Sequence, residues 1–370
     1  MRRIAMSYSL AAERPVRGAG APLLSNAMMD VLHAVHERGS ISAAARQLGQ
    51  SYRHVWGQLK DWEQQLGREL LVWERGQAAL LSPFGQRLLM AERLAQARLG
   101  PQIEHLRVEL ERAFATAFDG SPAGTGLLTL YASHDHALIE LQDFAAHDER
   151  LPQPLHLDIR FTGSVDAIRA LNEGRCLLAG FHTQPFADAD SRTARTYRPL
   201  LKPGTHKVIG FARRVQGLMV APGNPLQLFS LADVAHRQAH FVNRALGTGT
   251  RLLLEELLAQ AGLTLAGLHG HGHEESSHAA VAQAVASGAA DVGLGTEQAA
   301  RSQGLGFVPL TEERYALVCL KSALEQPAVQ SLLTLLRGAP WQQRLLSLPG
   351  YQADHPGEVA AMKRLLPWWS

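Results

Sequence analysis

Four places in this chain set a small polar residue where a short apolar run gives way to an amphipathic one. Ser133 follows residues 127–132, Gly163 and Ser164 follow 155–161, Thr248, Gly249 and Thr250 follow 239–243, and Ser276 with Ser277 precede 278–287. A short apolar run followed by an amphipathic one reads as a strand handing over to a helix. The first turn of a helix has unpaired N–H groups and the positive end of its dipole, so a hydroxyl or a glycine there lets a small anion approach neutral donors. One such place is an ordinary cap, whereas several converging at the carboxyl ends of strands make an anion pocket. His134 flanks Ser133 and His182 closes the third apolar run, so both are expected to touch the anion. Arg244 and Arg251 flank the Thr248 to Thr250 turn, and an arginine inside the pocket would offer a carboxylate a two-pronged donor.

Other chemistries find less support. Seventeen histidines are many, yet His269, His271, His273 and His278 lie in and after a Gly-rich loop without a matching Cys or carboxylate cluster, so no metal is expected. There is no GxSxG, and Ser133, His134 and Asp135 are sequence neighbours, which does not give a hydrolytic triad. GxGxxG after a strand and GxxxxGK[ST] are both absent, so nucleotide binding has no motif. No catalytic residue is assigned.

A second chemistry is DNA recognition, in residues 39–89. Ala43, Ala44, Ala45 and Leu48 recur at helical spacing, Gly49 permits a turn with positive φ, and Ser51 can cap a helix beginning at Tyr52. Val55, Leu59 and Trp62 share one face of that helix, leaving Tyr52, Arg53, His54, Trp56, Gly57 and Lys60 facing elsewhere. From Ser40 to Lys60 there are three cations and no carboxylate, so a helix in the major groove meets phosphates without repulsion. The DNA-binding set is Ser51, Tyr52, Arg53, His54, Trp56, Lys60 and, in the following hairpin, Arg75.

These motifs resemble known regulators. Residues 39–48 are similar to the first two helices of LysR-type regulators, and residues 70–75 with 81–85 to their wing and its exit. Residues 51–56 are closer to the molybdate-responsive regulators. From Tyr131 onward the order of short motifs, among them 162–164, 179–182, 242–251, 290–295 and 348–351, resembles the periplasmic binding-protein-like domain of molybdate-binding proteins, which also occurs fused to regulators. The resemblance implies a winged helix-turn-helix head, a long linker helix that pairs with its copy, and a two-lobed α/β effector domain with the ligand in the cleft. It implies a transcriptional regulator that binds double-stranded operator DNA as a homodimer or homotetramer. The effector it implies is a small anion, molybdate, tungstate or a carboxylate such as formate, controlling molybdoenzyme genes such as formate dehydrogenase. The competing expectation is an anion-binding protein or enzyme that uses the helical head for oligomerisation alone.

Composition fits a multidomain globular chain: 370 residues, 46% apolar and 19% charged, with a net charge of +2. Two cysteines, Cys176 and Cys319, sit inside apolar runs and are expected as buried thiols. With no run of 18 apolar residues and no secretory leader, a cytoplasmic protein without a membrane partner is expected. The expected domains are a flexible basic leader over 1–22, a winged helix-turn-helix over 23–85, a linker helix over 86–118 and a Gly/Pro-rich linker over 119–126. The effector domain covers 127–370, with lobe I over 127–205 and 306–370 and lobe II over 206–305. Its sheets are expected to be parallel with crossover helices.

Overall fold

In a computed structural model that describes residues 26–72, 79–99, 103, 127–148, 155–184 and 186–369, the chain divides into two units, Met1–Gly85 and Gln86–Ser370. The expected leader, the hairpin tip with Arg75, the linker helix beyond residue 103 and the 119–126 linker lie outside the described residues.

The first unit is built from three capped helices. α1 (Ala27–Arg38) starts at Asn26, whose side chain accepts from the Met28 and Met29 amides, and stops at Gly39 in the left-handed region. α2 (Ile41–Gln47) is capped by Ser40, and Gly49 at φ +66° turns the chain into α3 (Tyr52–Leu66), capped by Ser51. Leu32, Val35, Ala44, Val55 and Leu59 form its dry interior. β1 (Leu71–Val72) and β2 (Leu80–Leu81) pair antiparallel as the expected hairpin. Glu63 ties the hairpin to α3: its Oε1 accepts from the Leu70 amide at 2.8 Å and the Leu71 amide at 3.3 Å, while its Oε2 holds Lys60 at 2.7 Å. A side chain at Gly85 would run into the Leu70 carbonyl, so the exit from the hairpin requires glycine. Helix α4 (residues 83–99) begins there.

The second unit carries, after α4, helices α5 (His136–Ala146), α6 (Ser164–Asn172), α7 (Arg192–Tyr197), α8 (Leu231–His236), α9 (Gly249–Gln260) and α10 (His278–Ala286), and a ten-stranded sheet. Its strands are β3 (Leu127–Ala132), β4 (His156–Phe161), β5 (Leu178–Thr183), β6 (His206–Val220), β7 (Phe241–Arg244), β8 (Glu274–Glu275), β9 (Val292–Thr296) and β10 (Gly306–Leu320), with β11 (Tyr351–Ala353) and β12 (Val359–Ala360) added along β6. The order is β4-β3-β5-β10-β6-β9-β7-β8. Both ends are parallel, as βα repetition suggests, but the centre is not. β10 runs antiparallel to β5 and β6, and β6 antiparallel to β9, which corrects the expected all-parallel sheets.

The reason lies in two 15-residue strands, β6 and β10, of which only the apolar halves stand out in the sequence. Val208, Ile209, Phe211 and Ala212 of β6 belong to the cores of lobe I, while Leu218, Met219 and Val220 belong to those of lobe II. The crossing between lobes therefore lies inside both strands, where the register shifts at Pro309/Thr311 and Tyr315/Ala316, rather than at 205/206 and 305/306. Cys176 and Cys319 are free and buried, and burial pushes their thiols up to about 11 and about 12. Among the described residues no helix is long and apolar enough to cross a membrane.

Candidate anion site and nucleic-acid interface

The reading face of α3 is open. Tyr52, Arg53 and His54 are exposed, and Trp56 is half-exposed, because the Ser51 hydroxyl accepts the His54 amide at 3.2 Å and starts the helix so that only Val55 and Leu59 turn inward. Trp62, expected on the buried face, is half-buried. A Cβ on Gly57 would meet nothing within 4 Å, so packing does not explain a mid-helix glycine, which costs about 1 kcal/mol relative to alanine. Lys60 is partly exposed and already has a carboxylate partner. Glu63, three residues on, pairs with it at 2.7 Å. Burial alone would raise the Glu63 carboxyl, but Lys60 and the Leu70 and Leu71 amides outweigh that and hold it low. The carboxylate that fixes the hairpin thus engages Lys60 as well.

In the α/β unit, the strand-to-helix corners bring several expected residues together. Ser133 follows β3, and Ser164 opens α6 (Ser164–Asn172) after the uncapped Gly163. Their hydroxyls are 3.1 Å apart, and Ser164 Oγ lies 3.4 Å from His182 Nδ1 at the end of β5. From the other lobe, Thr250 in the first turn of α9 (Gly249–Gln260) meets His278 Nε2 at 3.3 Å, at the start of α10 (His278–Ala286). The backbones close on each other. A Cβ on Gly163 would come within 2.7 Å of the Gly247 carbonyl, and one on Gly249 within 2.7 Å of His182 Nδ1.

Three buried nitrogens at this closure have no partner: His182 Nε2, His278 Nδ1 and Arg244 Nε. Arg244 ends β7 and is 3% exposed; Nη1 donates to the Glu275 carbonyl at 3.2 Å. Burial, and then the charge of Arg214, push Arg244 down to about 9, partly offset by Glu275, so it remains a cation at neutral pH. Burial, and then the charges of Arg214 and Arg244, push His182 well below the ordinary imidazole value. His278 falls for the same reasons, with burial first and Arg244 next. His134 packs its ring on Phe161 at 4.8 Å, and burial, then Arg244, push it down to about 3. Neutral imidazoles and one incompletely paired guanidinium are what an anion would complete, since a buried donor left unsatisfied is costly.

Behind them stands a network that the sequence did not reveal. Arg214 donates to Asp135, and to Glu313 at 2.5 Å, all three fully buried. Tyr351 OH donates to Asp135 at 2.9 Å and Gln216 to Glu313 at 2.6 Å. Tyr315 stacks on His182 with centroids 4.1 Å apart. Burial alone would lower the Arg214 pKa, but the two carboxylates outweigh it. Gln216 Oε1 and Glu313 Oε2 are unpaired acceptors of the same network, which an O–H group of ligand or water would meet.

Four expected contacts go elsewhere. Thr248 is spent as the cap of α9, its hydroxyl donating to the Ala245 carbonyl at 2.8 Å. Arg251 pairs with Glu255 and Glu274. Ser276 and Ser277 donate to the Arg98 and Ala97 carbonyls of α4, and Ser277 also caps α10. Rings of His240, His269 and His273 lie near one another, but among the described residues no group of three or more His, Cys, Asp or Glu could hold a metal.

Comparison with known proteins gives two family matches: residues 27–86 to the family described as bacterial regulatory helix-turn-helix protein, lysR family, and residues 145–337 to the PBP superfamily domain. The uncharacterized protein YvgK of Bacillus subtilis (strain 168) is 28% identical over 200 residues, 54% of this chain and 64% of that protein, so the chain spans less than two thirds of its length. An uncharacterized protein in the ferredoxin 2Fe-2S gene 5' region of Clostridium pasteurianum is 31% identical over 109 residues, 29% of this chain and 96% of its own. Solved structures align more widely at lower likeness. Full-length BenM is 16% identical over 86% of this chain and 96% of that one, with a TM-score of 0.42. HinK, a LysR family transcriptional regulator from Pseudomonas aeruginosa, is 16% identical over 82% and 94%, at 0.41. Likeness of that degree carries no functional weight.

Proposed function

From a chain that belongs to the PBP superfamily and carries a lysR-family helix-turn-helix head, we infer a DNA-binding transcriptional regulator, not an enzyme, whose α/β domain senses a small anion between its lobes. The observation that carries the anion is the set of unpartnered buried nitrogens on His182, His278 and Arg244 beside the paired hydroxyls of Ser133 and Ser164. Arg244 favours a carboxylate of formate size, because a planar guanidinium matches two oxygens at once. Molybdate and tungstate would rely instead on hydroxyls and helix N-termini. Molybdoenzyme genes, formate dehydrogenase among them, are the proposed targets, and the protein works in the cytoplasm as a homodimer or homotetramer joined through the linker segment 86–118.

Calorimetric titration with formate, molybdate, tungstate and sulfate tests the reading. Formate should bind, and Arg244→Ala should cost about 1.5–3 kcal/mol of that affinity, the range for hydrogen bonds to charged groups. If sulfate or molybdate alone binds and Arg244→Ala leaves that binding intact, the carboxylate assignment is lost.

A further inference from the structure

A five-residue stretch beside the cleft touches both the pocket and helix α4. β8 (Glu274–Glu275) pairs with the end of β7, Asn243 opposite Glu274 and Arg244 opposite Glu275. Toward the pocket, the Glu275 carbonyl accepts from Arg244 Nη1 at 3.2 Å and from the Ala245 amide at 3.1 Å, so it sets both the guanidinium and the turn that leads to α9. Toward α4, the Glu275 carboxylate is 3% exposed and is gripped by Arg98, whose Nε lies 3.0 Å from both oxygens and whose Nη2 lies 2.5 Å from Oε1. Ser276 and Ser277 donate to the Arg98 carbonyl at 3.4 Å and the Ala97 carbonyl at 3.0 Å. The next residue, His278, meets Thr250 through Nε2 at 3.3 Å and leaves Nδ1 buried without a partner.

We propose that Glu275 is a positioning residue that couples occupancy of the anion pocket to the grip on Arg98 of helix α4. This rests on the anion reading of the cleft. A guanidinium is planar and rigid, so an anion that engages Arg244 Nε turns the same plane that holds the Glu275 carbonyl. Moving that carbonyl moves β8 and, with it, the carboxylate that Arg98 clamps in a geometry-sensitive two-pronged contact. Coupling of this kind is reciprocal: if the anion alters the grip on Arg98, loosening that grip must alter anion affinity by the same factor. The Arg98 guanidinium donates to Glu275, outside the hydrogen bonds of the His182 and Ser164 cluster, so its effect on anion binding reports the coupling.

The test is calorimetric titration of the full-length protein with sodium formate and with sodium molybdate, in the wild type, Arg98→Ala, Glu275→Gln and the double variant. Each single change should weaken binding of whichever anion the wild type takes by about fivefold or more, the lower range of allosteric coupling, and the double variant should be no weaker than the singles. Both singles should also lose the anion-dependent change in affinity for the DNA upstream of the gene. If Glu275→Gln fails to fold, Arg98→Ala carries the test, since the Arg98 side chain is half-exposed. Wild-type titrations in both variants, with only a lower melting temperature, would make the pair scaffolding and overturn the coupling. A wild type that binds neither anion removes the cleft reading, and the coupling with it.

Discussion

On α3, Tyr52, Arg53 and His54 stand in water while Val55 and Leu59 do the packing; in the cleft, Arg214, Arg244, His182 and His278 are themselves withdrawn from water. Exposed cations interact weakly one at a time and in proportion to salt, which suits a partner offering many phosphates. Buried ones act in a low dielectric, where each donor must be met and a missing partner is felt strongly. The head can therefore lose single contacts gracefully, whereas the cleft cannot.

The sharpest way to break that contrast is to bury a charge in the head. Val55→Asp should cost on the order of 3–5 kcal/mol, as for an uncompensated buried charge, and abolish DNA binding while the α/β unit still titrates its anion; intact operator binding by this variant would put Val55 on the wrong face. Gly163→Ala comes next. Its methyl would press on the Gly247 carbonyl at 2.7 Å, and overpacking of this kind costs about 1–3 kcal/mol; it should appear as weaker anion binding with DNA binding unchanged. Equal anion affinity would mean that the lobes need not approach there.

Acid stability probes the imidazoles. His182, His278 and His134 have folded pKa values below the unfolded value. Their contribution is full above pH about 6.5 and shrinks as pH falls below it, because the unfolded chain then takes up protons that the folded one refuses. Anion-free protein should lose melting temperature below that pH, and formate should recover part of the loss by favouring imidazolium. A melting temperature flat from pH 7 to 5 would place these rings in water. The smallest effect is expected for Arg53→Ala, which should reduce the salt slope of DNA binding by about one unit if it contacts a phosphate; an unchanged slope and affinity would remove Arg53 from the interface.

The same contrast governed what could be read from sequence. Caps and turns are local, so Ser51, Gly49 and the start of α3 at Tyr52 follow from neighbouring residues, as do β3, α10 and the starts of α6 and α9. The pairing of Ser133 with Ser164 was legible because each marks a strand-to-helix corner. Arg214 opposite Glu313 was not: they lie 99 positions apart and meet only through the register of β6 and β10. Those strands were half seen, because Arg213, Arg214 and Gln216, and Glu312 to Arg314, interrupt the apolar pattern where the strands pass between lobes. Ser277 looked available because its partner, the Ala97 carbonyl, lies 180 positions away, whereas Glu63, three residues beyond Lys60 on the same helix, was within local reach.

The late position of β10 in the chain has a consequence for synthesis. The first unit ends at Gly85, but lobe I lacks a central strand until residues 306–320 have emerged, and β11 and β12 follow later still. Domains fold as units from the ribosome at about 5–20 residues per second. Each new molecule therefore spends more than about ten seconds with its first unit synthesised and its α/β unit unfinished, unable to respond to any ligand of the cleft.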